Sequence, residues 1–178
     1  MSHSQWEKKK YKKAASEGKT SQLYAKLVKM ITHEAKLSGG NRESSGLSAA
    51  IKKARSVDMP ADNIERAIKK ATEAGNAMES ITYEAYGPGG VGIVIEALTD
   101  SKNRAAQEIR HILDKNGFAL GGIGSVTWGF VREITPEGVI WKPNITTAIS
   151  EEDSNALLDL VEQLEENNEV QEVFTNTE

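Results

Sequence analysis

The sequence contains no cysteine. That single absence excludes disulfides, thiol nucleophiles and cysteine-based zinc sites. Its three histidines, His3, His33 and His111, stand far apart, and none has a second histidine or paired carboxylates at ligand spacing. No metal and no cofactor is expected. No apolar run approaches the ~20 residues that span a bilayer, and the basic opening carries Glu7 with no apolar stretch behind it, unlike a signal peptide. A cytoplasmic, soluble protein without a membrane partner or a small-molecule substrate is expected, and the sequon Asn144-Ile145-Thr146 is then idle. There is no phosphate-loop pattern of the G-x-x-x-x-G-K-[ST] type. Gly87-Pro88-Gly89-Gly90-Val91-Gly92 matches G-x-G-x-x-G literally, but dinucleotide binding needs those glycines between a strand and the helix that follows it. Here they precede a strand and read as a tight turn. Asp100 reads as a helix cap rather than a catalytic acid, and no enzyme is expected.

What the chain does have is a division of charge. Residues 1–75 hold 16 Lys/Arg and 8 Asp/Glu, whereas residues 76–178 hold 6 and 18, so a net charge of −4 conceals a basic half and an acidic half. Such asymmetry points to a polyanion-facing segment joined to a solvating one. The last 31 residues, from Ala148, contain ten acids and no base, and should face away from any nucleic acid.

Residues 1–19 form a basic tail in which Lys8, Lys9, Lys10, Lys12, Lys13 and Lys19 surround Trp6 and Tyr11. Such a run cannot build a core. Lysine meets phosphate as a point charge, and an aromatic among lysines can stack on an unpaired base. Residues 20–76 read as a lobe of three amphipathic helices. The first, Ser21 to Leu37, buries Leu23, Leu27, Met30, Ile31 and Ala35 and leaves Lys26 outside. The second, Ser45 to Val57, exposes Lys52, Lys53 and Arg55. The third opens at Pro60, exposes Arg66 and Lys69, and closes at Gly75. Its Ala-rich stripes bury little area, so this lobe should be marginal in stability.

Residues 77–178 read as an α+β lobe: a mostly antiparallel sheet with helices on one face. Val91, Ile93 and Ile95 alternate as a buried strand after the Gly/Pro turn. Thr99-Asp100-Ser101 caps a helix that carries Ala105, Ile109, Ile112 and Leu113 on one stripe and ends at Asn116-Gly117. Ser125 to Ile134, Val139 to Trp141, Ile145 to Ile149 and Val170 to Phe174 read as further strands. Ser150, followed by three acids, caps the last helix.

These residues resemble the YebC/PmpR family, which includes a mitochondrial translational activator of cytochrome c oxidase. Ser2 to Trp6 is similar to its G-H-S-K-W opening, and Lys12-Lys13-Ala14-Ala15 to its R-K-A-A. Gly39-Gly40-Asn41, Asp58-Met59-Pro60 and Ile64-Glu65-Arg66-Ala67-Ile68 resemble further motifs. Tyr83 to Val91, Leu98-Thr99-Asp100 and Asn103-Arg104 match its most specific block, and Gly124-Ser125-Val126 is similar to its G-S-V. Typical members carry an additional α/β lobe after G-S-V, and the segment near 131–142 is too short for it, so the resemblance implies a two-lobed version. It also implies a non-enzymatic regulator: a translation factor acting on ribosomal RNA, or a DNA-binding transcriptional regulator. The basic positions are overwhelmingly lysine, which suits phosphate contact more than base readout, and this favours structured RNA. The expected nucleic-acid contacts are His3, Trp6, the six tail lysines, Lys26, Lys52, Lys53, Arg55, Arg66, Lys69 and Arg104. Arg104 sits in a first helical turn, unfavourable against the dipole. It should either pair with a carboxylate such as Glu84, Glu96 or Glu108 or reach outward to phosphate.

Overall fold

The computed structural model describes residues 20–73, 75, 77–136 and 138–178. The chain divides into two compact units. One runs through Met78 and takes in Ile134–Ile140, and the other comprises Glu79–Glu133 and Trp141–Glu178.

In the first unit lie α1 (Thr20–Leu37), α2 (Ser45–Ser56) and α3 (Ala61–Ala71). Leu27, Ile31, Leu47, Ile51, Ile64 and Ile68 interlock with Ala35, Ala50, Ala54 and Ala67, and Met59 joins them from the turn between α2 and α3. Alanine lets the helices approach closely but contributes little apolar area per residue. Leu23, expected in this stripe, is exposed. Thr32 donates to the Ala67 carbonyl, and the Tyr24 hydroxyl contacts the carbonyls of Val57 and Asp58, whereas the buried Ser44 hydroxyl has no partner among the described residues. Pro60 occupies the cap position just before α3, one place ahead of the expected first turn, and α3 ends at Ala71 rather than Gly75. There the Thr72 hydroxyl bonds back to the Lys69 carbonyl at 2.7 Å, a local bond that competes with continued helix.

The second unit is α+β. Strands β1 (Glu79–Tyr86), β2 (Gly92–Thr99) and β5 (Val170–Thr175) form one antiparallel sheet in the order β1-β2-β5. Between the strands come α4 (Lys102–Lys115) and α5 (Glu151–Glu166), and β3 (Phe130–Thr135) pairs with β4 (Gly138–Pro143) as a separate two-stranded ribbon whose tip, Ile134–Ile140, is counted with the first unit. The register pairs Ala85 with Ile93 and Ile95 with Val173, so one sheet face presents Tyr83, Ala85, Ile93, Ile95, Ala97 and Val173. Ile109 and Leu113 of α4 and Leu157, Leu160, Val161 and Leu164 of α5 cover it. The opposite face presents Glu84 and Val94, where Val126 and Phe130 pack with Trp141 and Phe174.

The turn before β2 is as the sequence predicts. Pro88–Gly90 makes one 3-10 turn, with Gly89 and Gly90 at φ 66° and 78°, values that L side chains rarely adopt. Ser101 and Ser150 cap α4 and α5, each accepting from the backbone N–H three residues on. Asp100 is not the cap; its carboxylate pairs with Arg104 instead.

Two expected strands need correction. From Ser125 the chain does not alternate directly into a strand: Thr127–Gly129 forms a 3-10 turn and β3 begins only at Phe130. The N–H groups of Val126 and Thr127 point to a Glu84 carboxylate oxygen instead of a neighbouring strand. Residues 145–149 form no strand, and only Thr147 pairs, in parallel, with Thr177. Asn176 explains this: its side chain takes the Ile145 carbonyl, and its own carbonyl accepts from Thr147 N–H. Among the described residues no helix is long and apolar enough to cross a membrane.

Candidate nucleic-acid interface

On the helical unit the expected cations fall outside the core stripe, as helical spacing requires. Lys52, Lys53 and Arg55 are exposed on α2, a helix with no acidic residue. Arg66, Lys69 and Lys70 are exposed on α3, where three- and four-residue separations put Arg66 on one face with both lysines. None of these six makes an ion pair with another described residue. Their placement also has a local cause: Lys53, Arg55, Lys69 and Lys70 lie in last turns, where cations complement the helix dipole. Lys26, on α1, is only half-exposed and is engaged in an interaction within the protein.

Anions interrupt the basic surface: Asp62 precedes Arg66 by four residues on α3, and Glu65 stands between Asp62 and Lys69. Glu65 of α3 is bonded to Arg42. That hydrogen bond holds the carboxyl below the ordinary glutamate range against desolvation, with lesser help from the charges of Arg42 and Arg55. Glu65 therefore stays ionised and offsets part of the charge of Arg42 and Arg55. Lys52, Lys53, Arg66, Lys69 and Lys70 are left without an ion pair to another described residue.

Arg104, in the α+β unit, is anchored by carboxylates, though not by the three considered from the sequence. Its Nε donates to Glu169 at 3.0 Å and its terminal nitrogen pairs with both Glu169 and Asp100. Glu84, Glu96 and Glu108 are engaged elsewhere: Glu96 accepts from Thr82 and from the Trp141 indole, and Glu108 accepts from Asn167. Glu169 lies 65 positions away in sequence, beyond the reach of any local pattern. His3, Trp6, Lys8, Lys9, Lys10, Lys12, Lys13 and Lys19 lie outside the described residues.

A further constellation was not anticipated. Glu84 is buried, at 4% exposed, yet it is ionised and fully used. Its two oxygens accept backbone N–H groups from Gly124, Val126 and Thr127 at 2.7, 2.7 and 2.8 Å. Burial works to raise its pKa, but these donors and the Thr127 hydroxyl outweigh burial and hold it below the usual carboxylate value. The Glu84 carbonyl also accepts from Gly121 at 2.7 Å. One residue of β1 thus fixes the whole Gly-rich connection after α4. On that connection stands Trp128, whose indole N–H donates to the Ser125 carbonyl, as does the Tyr86 hydroxyl. The sequence signal was present in Glu84 itself, an acid at an inward-facing position of a strand.

The two units thus define a class: a chain with a helical unit that exposes lysines and an α+β unit, with no convergent group of three or more His, Asp or Glu among the described residues. Comparison with known proteins gives the particular family. The TACO1/YebC protein N-terminal domain matches residues 4–74, and the TACO1/YebC second and third domain matches residues 78–137 and again 132–177. The chain belongs to the TACO1/YebC family.

Among its relatives, a "Probable transcriptional regulatory protein" of Fervidobacterium nodosum is 35% identical over 232 aligned positions, covering 98% of this chain and 92% of the relative. An alignment of 232 positions on a chain of 178 residues requires segments of the relative with no counterpart here. Relatives with the same description from Caldanaerobacter subterraneus and Petrotoga mobilis are 47% and 41% identical, over 85% and 99% of this chain. The chain spans 61% and 70% of their lengths. The crystal structure of a conserved hypothetical protein from Aquifex aeolicus is similar with a TM-score of 0.82 at 29% identity, covering 91% of each chain.

Proposed function

We propose that this protein is a non-enzymatic, nucleic-acid-associated regulator of gene expression that works in the cytoplasm and grips phosphate through lysine. RNA on the ribosome is its target, without any membrane or small-molecule partner. The observation that carries the reading is the surface of α2 and α3, where Lys52, Lys53, Arg66, Lys69 and Lys70 stand exposed with no ion pair to another described residue. The tail lysines of residues 1–19 extend the same chemistry in sequence. Lysine contacts position a nucleic acid without reading its bases, which suits a structured RNA better than an operator. The segment near 131–142 is too short for the additional lobe of longer relatives, which supports a two-lobed member that acts without it.

A second reading, a DNA-binding transcriptional regulator, is favoured by the description that the relatives carry. The two separate in a binding titration of the full chain on structured RNA and on duplex DNA across salt concentrations. If about six tail lysines contact RNA, log affinity falls with log salt at a slope near −4, taking roughly −0.7 per phosphate. Replacing Lys8, Lys9, Lys10, Lys12 and Lys13 with Ala then flattens the slope by about three units. A slope unchanged by that replacement removes the tail from the interface, and tighter, sequence-selective binding to duplex DNA favours the second reading.

A further inference from the structure

The α+β unit buries most of its large apolar side chains, but Ile145 is half exposed and four others stand in solvent near the end of β1 and the start of β3. Ile123 is 103% exposed, Trp128 63%, Val131 48% and Tyr86 44%. Single exposed apolar residues need no explanation, but a coupled pair of aromatics does. The Trp128 indole N–H lies 2.9 Å from the Ser125 carbonyl and 3.3 Å from the Tyr86 hydroxyl, which itself donates to that carbonyl at 2.7 Å. The polar ends of both rings are thereby satisfied within the protein. Their faces are left to interact with something flat.

The mounting of the pair is rigid. Ser125 is bonded through its N–H and its hydroxyl to the Gly122 carbonyl, and Glu84 clamps the backbone on either side of it at Gly124, Val126 and Thr127. A surface held in this way loses little conformational entropy on binding. Ile123 stands at the tip of the same connection, flanked by Gly122 and Gly124. The segments that build this surface, Ala85 to Ile95 and Lys115 to Arg132, contain no Asp or Glu in a half of the chain that otherwise holds most of the acids. Arg132 is exposed and makes no ion pair with another described residue. A protein partner of ordinary size would cover about 800 Å² here, more than four scattered side chains offer.

We infer that Tyr86 and Trp128 form a stacking platform for an unpaired base of RNA, with Ile123 as the apolar projection that holds a neighbouring base out of its stack and Arg132 facing the phosphate. This rests on the nucleic-acid reading above and adds to it: phosphate contacts on lysine set affinity, and the platform selects single-stranded over paired RNA. Stacking on an aromatic is worth about 5- to 150-fold in affinity per base and is tolerant of sequence.

The test uses the full chain and one 12-nucleotide RNA carrying 2-aminopurine, presented as a single strand and as a duplex with its complement. Trp128→Ala should weaken single-strand binding by about 5- to 150-fold, leave duplex binding within about twofold, and leave the salt slope unaltered. Trp128→Phe should restore most of the loss, because it keeps a ring while removing the N–H. Because Trp128 is largely exposed, folding should survive, and amide exchange at Gly124 and Val126 checks that it has. Equal weakening on both RNA forms, or none on either, overturns the platform. So does intact RNA binding by Trp128→Ala combined with lost ribosome association, since that pattern marks a protein surface. Failure of the unmodified chain to bind either form overturns the nucleic-acid reading itself, whereas loss through the tail-lysine replacement but not through Trp128→Ala overturns only the platform.

Discussion

Replacing Glu84 with glutamine keeps the shape of the side chain and removes its charge. In the native structure the two carboxylate oxygens take three backbone N–H groups, two on one oxygen and one on the other. Glutamine can accept at only one oxygen. Turned toward Val126 and Thr127, it keeps two bonds, each weaker by about 1 kcal/mol for want of the charge. Its amide then faces the Gly124 N–H, donor against donor, and that bond is lost. The sum is about 3 kcal/mol, which for a unit of about 100 residues lowers the melting midpoint by roughly 10–15 °C. Calorimetry reads the midpoint, and hydrogen exchange at Gly124, Val126 and Thr127 reads the loop directly. The pH dependence carries an independent check. The folded carboxyl holds its charge to lower pH than the unfolded one, so its contribution is complete above the ordinary glutamate value of about 4.3 and is lost as pH falls through the depressed folded value. The stability gap between the native protein and Glu84→Gln should therefore narrow below about pH 4 and stay constant above about pH 5.5. A midpoint within about 1 °C of native at neutral pH, with unchanged exchange at the three amides, would refute the clamp.

Arg104→Ala should lower the midpoint by several degrees, because it opens the contacts to Asp100 and Glu169. Glu169→Ala should cost more than Asp100→Ala, since the Glu169 side chain is 6% exposed and that of Asp100 43%; thermal melts of the three variants rank them. Gly89→Ala should destabilise more than Gly90→Ala. Both residues have positive φ, but a methyl group at Gly89 would meet Ile149 at 2.6 Å, whereas one at Gly90 meets nothing within 4 Å. Equal midpoints for the two would contradict the close approach. Leu47→Ala, at a fully buried position of the small helical core, should cost about 3 kcal/mol, enough to unfold the helical unit, seen as lost ellipticity at 222 nm.

Local pattern was sufficient wherever a segment's neighbours in space are also near in sequence or where burial is complete. The three helices of the first unit, the turn before β2, and the capped helices α4 and α5 were all legible for that reason. The misread segments share a different cause. Val126 and Thr127 are shaped by a carboxylate more than 40 positions upstream, and residues 145–149 by Asn176, more than 25 positions on. Alternation of Val126, Trp128 and Phe130 suggested one pleated face, yet Val126 and Phe130 are buried while Trp128 projects into solvent. The cations of α2 and α3 were legible because helical spacing fixes which residues leave the core. The partners of Arg104 were not, because the choice among acids depends on how β5 and α4 meet.

Lysine-mediated phosphate contact with RNA on the ribosome is tested most directly by sedimentation. The full chain is layered with purified ribosomes at low and moderate salt, beside a variant with Lys52, Lys53, Lys69 and Lys70 changed to Ala, and the same preparation is offered a pool of promoter duplexes. The native chain should pellet with ribosomes at low salt and be released as salt rises, and the variant should stay largely in the supernatant while keeping its fold. A native chain that stays in the supernatant at low salt while enriching particular promoter sequences would contradict this expectation.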